Sequence, residues 1–254
     1  KADGNLGSGI LVNARDVRIG SAARADRNIV SANGSAGISL GIAAARAIVQ
    51  GNLIGTRRDG TSAMGNGADG VFVTGSREHV VGGDQPGQGN VIAFNRGNGV
   101  SLLPIAVLDL VPRNVLILRN SISSNGRLGI DLGADGSTRN DPAPDADGGA
   151  NRLQNKPRVV SAVVRGSRTI ITGTLTSRRE RAYRVELFQS GATDPEGRTY
   201  LGYVNVGTDG SGKATWTFRM NAPLALGTRI TATATDVDRR DTFEFGPAVA
   251  VSAS

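Results

Sequence analysis

Apolar and polar positions along the first half of the chain alternate with a period of two, in runs of only three to five residues, and the runs themselves recur. Five times an Asn is followed four residues later by a Gly and then by an apolar–spacer–apolar triplet. The copies are Asn5…Gly9-Ile10-Leu11-Val12, Asn33…Gly37-Ile38-Ser39-Leu40, Asn66…Gly70-Val71-Phe72-Val73, Asn95…Gly99-Val100-Ser101-Leu102 and Asn125…Gly129-Ile130-Asp131-Leu132, with glycines spaced by 28, 33, 29 and 30 residues. A second Asn often stands five positions earlier, as Asn28, Asn90 and Asn120 do. A third apolar run falls between copies: Val17-Arg18-Ile19, Ile48-Val49, Val80-Val81-Gly82 and Val115-Leu116-Ile117. Short alternating runs bounded by Gly, Asn, Asp and Ser predict strands, and about three of them fill each period.

A fixed template at a loosely fixed period predicts a repeat architecture in which each unit is one rung. Three short strands per rung predict a parallel β-helix of about five rungs, with rungs spaced by the ordinary inter-strand distance of about 4.8 Å. The inward positions are Ile10 and Val12, Ile38 and Leu40, Val71 and Val73, Val100 and Leu102, and Ile130 and Leu132, so that stacking builds aliphatic ladders. The repeated Asn is expected at a corner, in left-handed backbone geometry, with its amide bonding up and down the stack. Three insertions interrupt the rungs, at 56–65, 84–89 and 103–113, and insertions in repeat folds gather on loops that often form a binding face. The apolar 103–111 stretch reads instead as packing over the side of the helix or capping an edge.

After residue 157 the rhythm changes to longer alternating strands, expected at 159–164, 169–175, 183–189, 200–206, 214–219, 229–235 and 243–251. Asp209-Gly210-Ser211-Gly212 marks a tight hairpin, and 191–197 a longer loop. Seven strands in under a hundred residues predict an antiparallel β-sandwich with Tyr183, Leu187, Trp216 and Phe218 in its core. The chain therefore reads as all-β, with a β-helix at 1–156 and a sandwich at 157–254. The junction between them is rich in Asp, Pro and Gly. Its alternating Asp141, Asp145 and Asp147 are the oxygen ligands a hard cation such as Ca²⁺ selects, although no closing Glu makes the spacing an EF-hand loop.

Composition narrows the function classes. The net charge of +7, carried by 29 basic and 22 acidic residues, divides into +3 before residue 157 (16 basic, 13 acidic) and +4 after it (13 and 9). Charge this evenly spread fits loose affinity for an acidic polysaccharide or a cell-envelope component and not nucleic-acid recognition, which needs clustering on one face. Cysteine is absent, which removes disulfides and thiolate metal sites. The longest apolar stretch, 102–111, is too short to span a bilayer, so no membrane insertion is expected. Lys1 is not a natural start, and the chain reads as a mature or excised piece of something larger.

The rungs, followed by Gly129-Ile130-Asp131-Leu132, Asn140-Asp141-Pro142, Asp145-Ala146-Asp147-Gly148 and Leu153-Gln154-Asn155-Lys156-Pro157, resemble bacterial secreted or surface proteins with right-handed parallel β-helix repeats. In that family the same acidic junction leads into an immunoglobulin-like module, and the resemblance spans essentially the whole chain. It implies a right-handed coil, a secreted or cell-surface location and no particular activity. The residues themselves offer no catalytic set. His79, the only histidine, reads as a surface residue at a strand start. Asp109, Asp131 and Asp135 share no rung position, and Asp131 occupies an outward spacer column that repeats no charge. The expected role is a non-catalytic structural or adhesion module. The alternative is a carbohydrate-active enzyme of the lyase, epimerase or hydrolase type, since right-handed β-helices host many of these. An ice-binding face is disfavoured by the broken rungs and the lack of a repeated Thr column.

Overall fold

A computed structural model describes residues 4–191 and 196–254. The 191–197 loop lies in part outside the described residues, as does Lys1. The alternating runs become strands in rung order. The first turn carries β1 (Ile10–Val12), β2 (Arg18–Ile19) and β3 (Ile29–Val30), and the second β4 (Ile38–Leu40), β5 (Ile48–Val49) and β6 (Leu53–Ile54). The third carries β7 (Val71–Thr74), β8 (Val80–Gly82) and β9 (Val91–Ala93), and the fourth β10 (Val100–Leu103), β11 (Leu116–Leu118) and β12 (Ser121–Ser123). A last strand, β13 (Ile130–Leu132), opens a fifth. Equivalent strands pair in parallel into three sheets, β1-β4-β7-β10-β13, β2-β5-β8-β11 and β3-β6-β9-β12. Register puts like on like: Ile38 pairs with Val71 and Leu40 with Val73, all fully buried.

The template's Asn and Gly now have physical causes. One column stacks Asn33, Asn66, Asn95 and Asn125, each Nδ2 donating to the next Oδ1 at 2.8–2.9 Å. The other hydrogen of the same amide donates back to the preceding turn, as Asn66 does to Val30 O at 3.0 Å, so a buried amide spends its whole capacity inside the stack. A second column runs Asn28, Asn52, Asn90, Asn120. Asn52 escaped the five-residue spacing because the 56–65 insertion separates it from Asn66. The left-handed geometry expected of the Asn belongs to the residue before it: Ala32, Phe94 and Ser124 have φ of 60°, 62° and 58°. The template Gly answers a space requirement, since a Cβ on Gly70 would sit 2.3 Å from Ile92 Cγ2 and 2.6 Å from Gly99 O.

The sandwich contains β14 (Arg158–Arg165), β15 (Arg168–Thr176), β16 (Ala182–Ser190), β17 (Thr199–Gly207), β18 (Lys213–Met220) and β19 (Arg229–Asp236). The single strand expected at 243–251 is instead three two-residue pieces, β20 (Asp241–Thr242), β21 (Val249–Ala250) and β22 (Ser252–Ala253). One sheet runs β18-β15-β14-β22 and the other β17-β16-β19-β20, with β21 on β19. Tyr183, Leu187 and Trp216 are buried between them and Phe218 partly so. The segment around Phe243 is irregular because its side chains serve the end of the β-helix.

That end is closed by the sandwich. The exposed N–H groups of the last strands meet side chains and backbone across the junction: Asn114 N donates to Asp241 Oδ1 (2.8 Å), Ile117 N to Thr242 Oγ1 (3.0 Å) and Arg119 N to Glu186 Oε2 (2.9 Å). On the third sheet Ile122 N donates to Gly197 O at 2.8 Å, and Asn125 Nδ2 finds Glu196 Oε1 at 2.9 Å where the next Asn would stand. On the first sheet Leu132 N donates to Glu244 Oε1 at 3.1 Å. An open sheet edge is a template for unwanted pairing, and these carboxylates cap it.

Candidate metal centre at the junction

The junction loop has no regular structure because Pro142 and Pro144 withhold backbone donors and Asp145 takes a left-handed φ of 54°. Its course is fixed by asparagine clamps. Asp141 N donates to Asn155 Oδ1 (2.8 Å) and Asn155 Nδ2 returns to Asp141 O (2.9 Å). Asn140 and Lys156 make the same reciprocal pair next door, at 2.9 and 2.8 Å.

These clamps bring Asp141, Asp145 and Asp147 together. One carboxylate oxygen from each lies within 4.8 Å of the other two. Oxygens bound to one Ca²⁺ at 2.3–2.6 Å stand no more than about 5 Å apart, so three carboxylates at this separation fit a single ion. Asp145 is fully buried, and its two oxygens are treated differently. Oδ2 accepts from Asn155 N at 3.0 Å and from Ser177 Oγ at 2.5 Å, and Ser177 is itself held by Gln154 Nε2 at 2.8 Å and Tyr183 OH at 3.2 Å. Among the described residues no donor reaches Oδ1 of Asp145, or Oδ1 of Asp141 or Asp147, and all three atoms are shut off from solvent. Buried carboxylate oxygens without donors are costly unless something positive answers them.

The electrostatics agree with the geometry. Burial pushes the Asp145 carboxyl above the usual range, against its hydrogen bonds and the nearby Arg178 charge. Asp147 is pushed up to about 6 by desolvation and then by the charges of Asp141 and Asp145. Three carboxylates and Arg178 sum to a formal −2, the charge a divalent cation cancels.

The other residues weighed for chemistry lie elsewhere. Asp109 and Asp135 are exposed. Asp131, on the outer face of β13, is nonetheless buried, because the turn after it folds over: Gly136 N donates to both its oxygens at 3.3 Å and Asn98 Nδ2 to Oδ2 at 3.0 Å. Asn98 N reaches back to Asp69 Oδ1 at 2.6 Å. Desolvation raises both carboxyls, but their oxygens are engaged within a polar stack. His79 is a correction to the sequence reading: it is fully buried. Its Nδ1 accepts from Ala47 N at 3.2 Å, which puts the proton on Nε2, 2.9 Å from Ser76 Oγ. Period-two counting back from Val81 gives its inward position; only the rarity of interior histidines argued against it.

Asn155 and Ser177 were not singled out as site residues. Asn155 follows from the reciprocal spacing of two Asn pairs around the loop, whereas Ser177, brought in from the far end of β15, has no local signal. No protein-family model matches the chain, and no curated protein matches it in sequence.

Proposed function

We propose that this chain is a calcium-clamped structural module of a secreted or cell-surface protein. A β-helix rod is joined to a sandwich, and the pair serves adhesion or envelope structure toward an acidic polysaccharide or another envelope component. The observation that carries the reading is a cluster of three Asp carboxylates, each with an oxygen within 4.8 Å of the other two and each with a solvent-excluded Oδ1 that has no hydrogen-bond partner among the described residues. When bound, Ca²⁺ supplies charge cancellation. Asp141 and Asp147 belong to the connecting loop, and Asp145 is tied through Ser177 to the β15–β16 turn, so the ion fastens the loop to the sandwich. Extracellular modules work with dissociation constants of about 0.1–1 mM, matched to calcium outside cells.

The test is a thermal melt with calcium and with EDTA. At a free concentration of 100 times Kd, calcium contributes about 2.7 kcal/mol to stability. For a chain of this size that raises Tm by roughly 5–10 °C. Asp145→Asn should abolish the shift and Mg²⁺ should reproduce little of it. Identical melts in calcium and EDTA would remove the clamp.

A further inference from the structure

The outer face of the third β-helix sheet is not a plain wall. Two structures rise on either side of it. One is the 56–65 insertion, organised around Asp59, whose Oδ1 accepts from Thr61 N and Ser62 N at 2.8 Å each and whose Oδ2 accepts from Ser62 Oγ. The other is the start of β17, where Ser121 Oγ donates to Arg198 O at 2.6 Å. Between them lies a cleft of about 330 Å³, with Thr61 on one wall, Arg198 and Thr199 on the other, and Ser121, Ser123 and Phe94 along the floor. That size falls in the range of small-ligand clefts, about 300–1,000 Å³. Phe94 also lines the adjoining depression of about 370 Å³, which ends at Arg96. The two hollows therefore meet at the aromatic residue.

Phe94 is anomalous for its position. It stands at the corner filled by Ala32 and Ser124 in other rungs, with φ of 62°, a geometry that bulky residues seldom adopt. The Asn column needs only a small residue there. A partly buried phenyl in strained backbone at the meeting point of two hollows points to a contact made outside the repeat. The chemistry around it is specific in kind: an aromatic surface, a row of hydroxyls that both donate and accept, and a guanidinium. Arg198 is exposed, and among the described residues its side chain makes one long hydrogen bond, Nη2 to Ser124 Oγ at 3.4 Å. Arg96 is exposed, and its side chain has no partner among the described residues. Aromatic rings pack against the C–H faces of sugars, hydroxyls exchange hydrogen bonds with theirs, and a free guanidinium forks a carboxylate.

We propose that this groove binds an oligosaccharide containing uronate residues, one ring lying on Phe94 and a carboxylate engaging Arg198. The proposal rests on the acidic-polysaccharide part of the proposed function and gives it a site, but does not rest on the calcium clamp, because none of the groove residues belongs to the junction. A single-stranded nucleic acid fits less well: its bases call for successive aromatic platforms, and this groove has one.

The experiment is titration calorimetry of the whole chain with tetramers of galacturonate, mannuronate and a glucuronate-containing sugar. Each is paired with its methyl-esterified form, and a short single-stranded oligonucleotide is added as a polyanion control. At least one acid tetramer should bind more tightly than its ester. Phe94→Ala should weaken that binding by about tenfold or more, the usual effect of removing an aromatic anchor. It should do so without lowering Tm, because Ala32 already occupies the same corner with the same backbone. Arg198→Gln should erase the preference for acid over ester while leaving ester binding unchanged. Failure of all three acid tetramers would overturn the proposal. So would unchanged affinity in both variants, or equal binding of the oligonucleotide.

Discussion

In the interior of the β-helix a buried asparagine is answered by a copy of itself one rung away, whereas at the end of the β-helix the same groups are answered by single, charged residues from the sandwich. Asn66 both accepts from Asn33 and donates to Asn95. Asn125, four rungs into the same column, donates to Glu196 instead. The first arrangement is neutral and extends indefinitely. The second uses carboxylates that burial raises, among them Glu186, Asp241 and Glu244, and it stops the stack. A repeat solves its polar problem once and copies the solution; a terminus has to solve it with unique residues. All three are held by cations that the junction or sandwich supplies, Glu186 by Arg184, Asp241 by Arg152 and Glu244 by Lys156.

The largest effect is expected from breaking the copied solution. Asn66→Leu leaves Asn33 N and one hydrogen of its Nδ2 without their acceptor, and takes one of two donors from Val30 O, which keeps Gly55 N, and from Asn95 Oδ1, which keeps the backbone N of residue 66, all in a buried column. With each of the two orphaned donors costing about 1–3 kcal/mol, a loss of about 4 kcal/mol is expected. Denaturant unfolding should show the midpoint collapse. A midpoint within a few tenths of a molar of the parent would mean that the column is decoration on an aliphatic coil.

Breaking the cap should cost less, and its chemistry should show. Glu244 accepts from Leu132 N, from Thr138 N (3.0 Å) and Thr138 Oγ1 (3.0 Å), and from Lys156 Nζ (3.3 Å). Glu244→Ala orphans Leu132 N and Thr138 N and leaves Lys156 without its carboxylate, for about 3 kcal/mol, or roughly 6–12 °C in Tm. Glu244→Gln keeps an acceptor oxygen and should recover most of that loss. Equal losses in the two variants would show that charge, not the filled hydrogen bonds, is what the end of the rod requires.

The same contrast explains how far the sequence could be read. Copied residues announce themselves: Ile38, Val71 and Val100 fell on the inward column, and the Asn columns were visible wherever no insertion shifted the count, as it did for Asn52. Asp141, Asp145 and Asp147 were legible because alternate acids in an irregular loop have few uses. Unique contacts leave no period. Nothing around Glu244 or Asp241 in the sequence marks them as facing Leu132 or Asn114, more than a hundred residues away. Phe94 stood out only as one of few aromatics in the first half, and its wall partners Thr61 and Arg198 come from an insertion and from the other half of the chain.

His79 sharpens the comparison because it is a unique polar residue placed inside the repetitive half. Register stacks it between Ala47 and Val115 in an otherwise aliphatic column that begins at Val17. Burial lowers its pKa to about 4, from an ordinary 6.5. A folded-state value below the unfolded one means that the unfolded chain takes up the proton first. The stability His79 contributes is therefore complete above pH 6.5 and is lost as pH falls from 6.5 toward 4, by about 3 kcal/mol at the end of that window. The raised carboxyls of the cap act in the opposite sense over the same range, so the informative quantity is a difference. His79→Gln retains an acceptor for Ala47 N but cannot titrate. The Tm advantage of the parent over this variant should shrink steadily between pH 6.5 and 4, and reverse near the acid end. Parallel Tm profiles would mean that the imidazole takes up its proton as readily inside the coil as in the unfolded chain, and that even the repeat interior tolerates an unmatched charge.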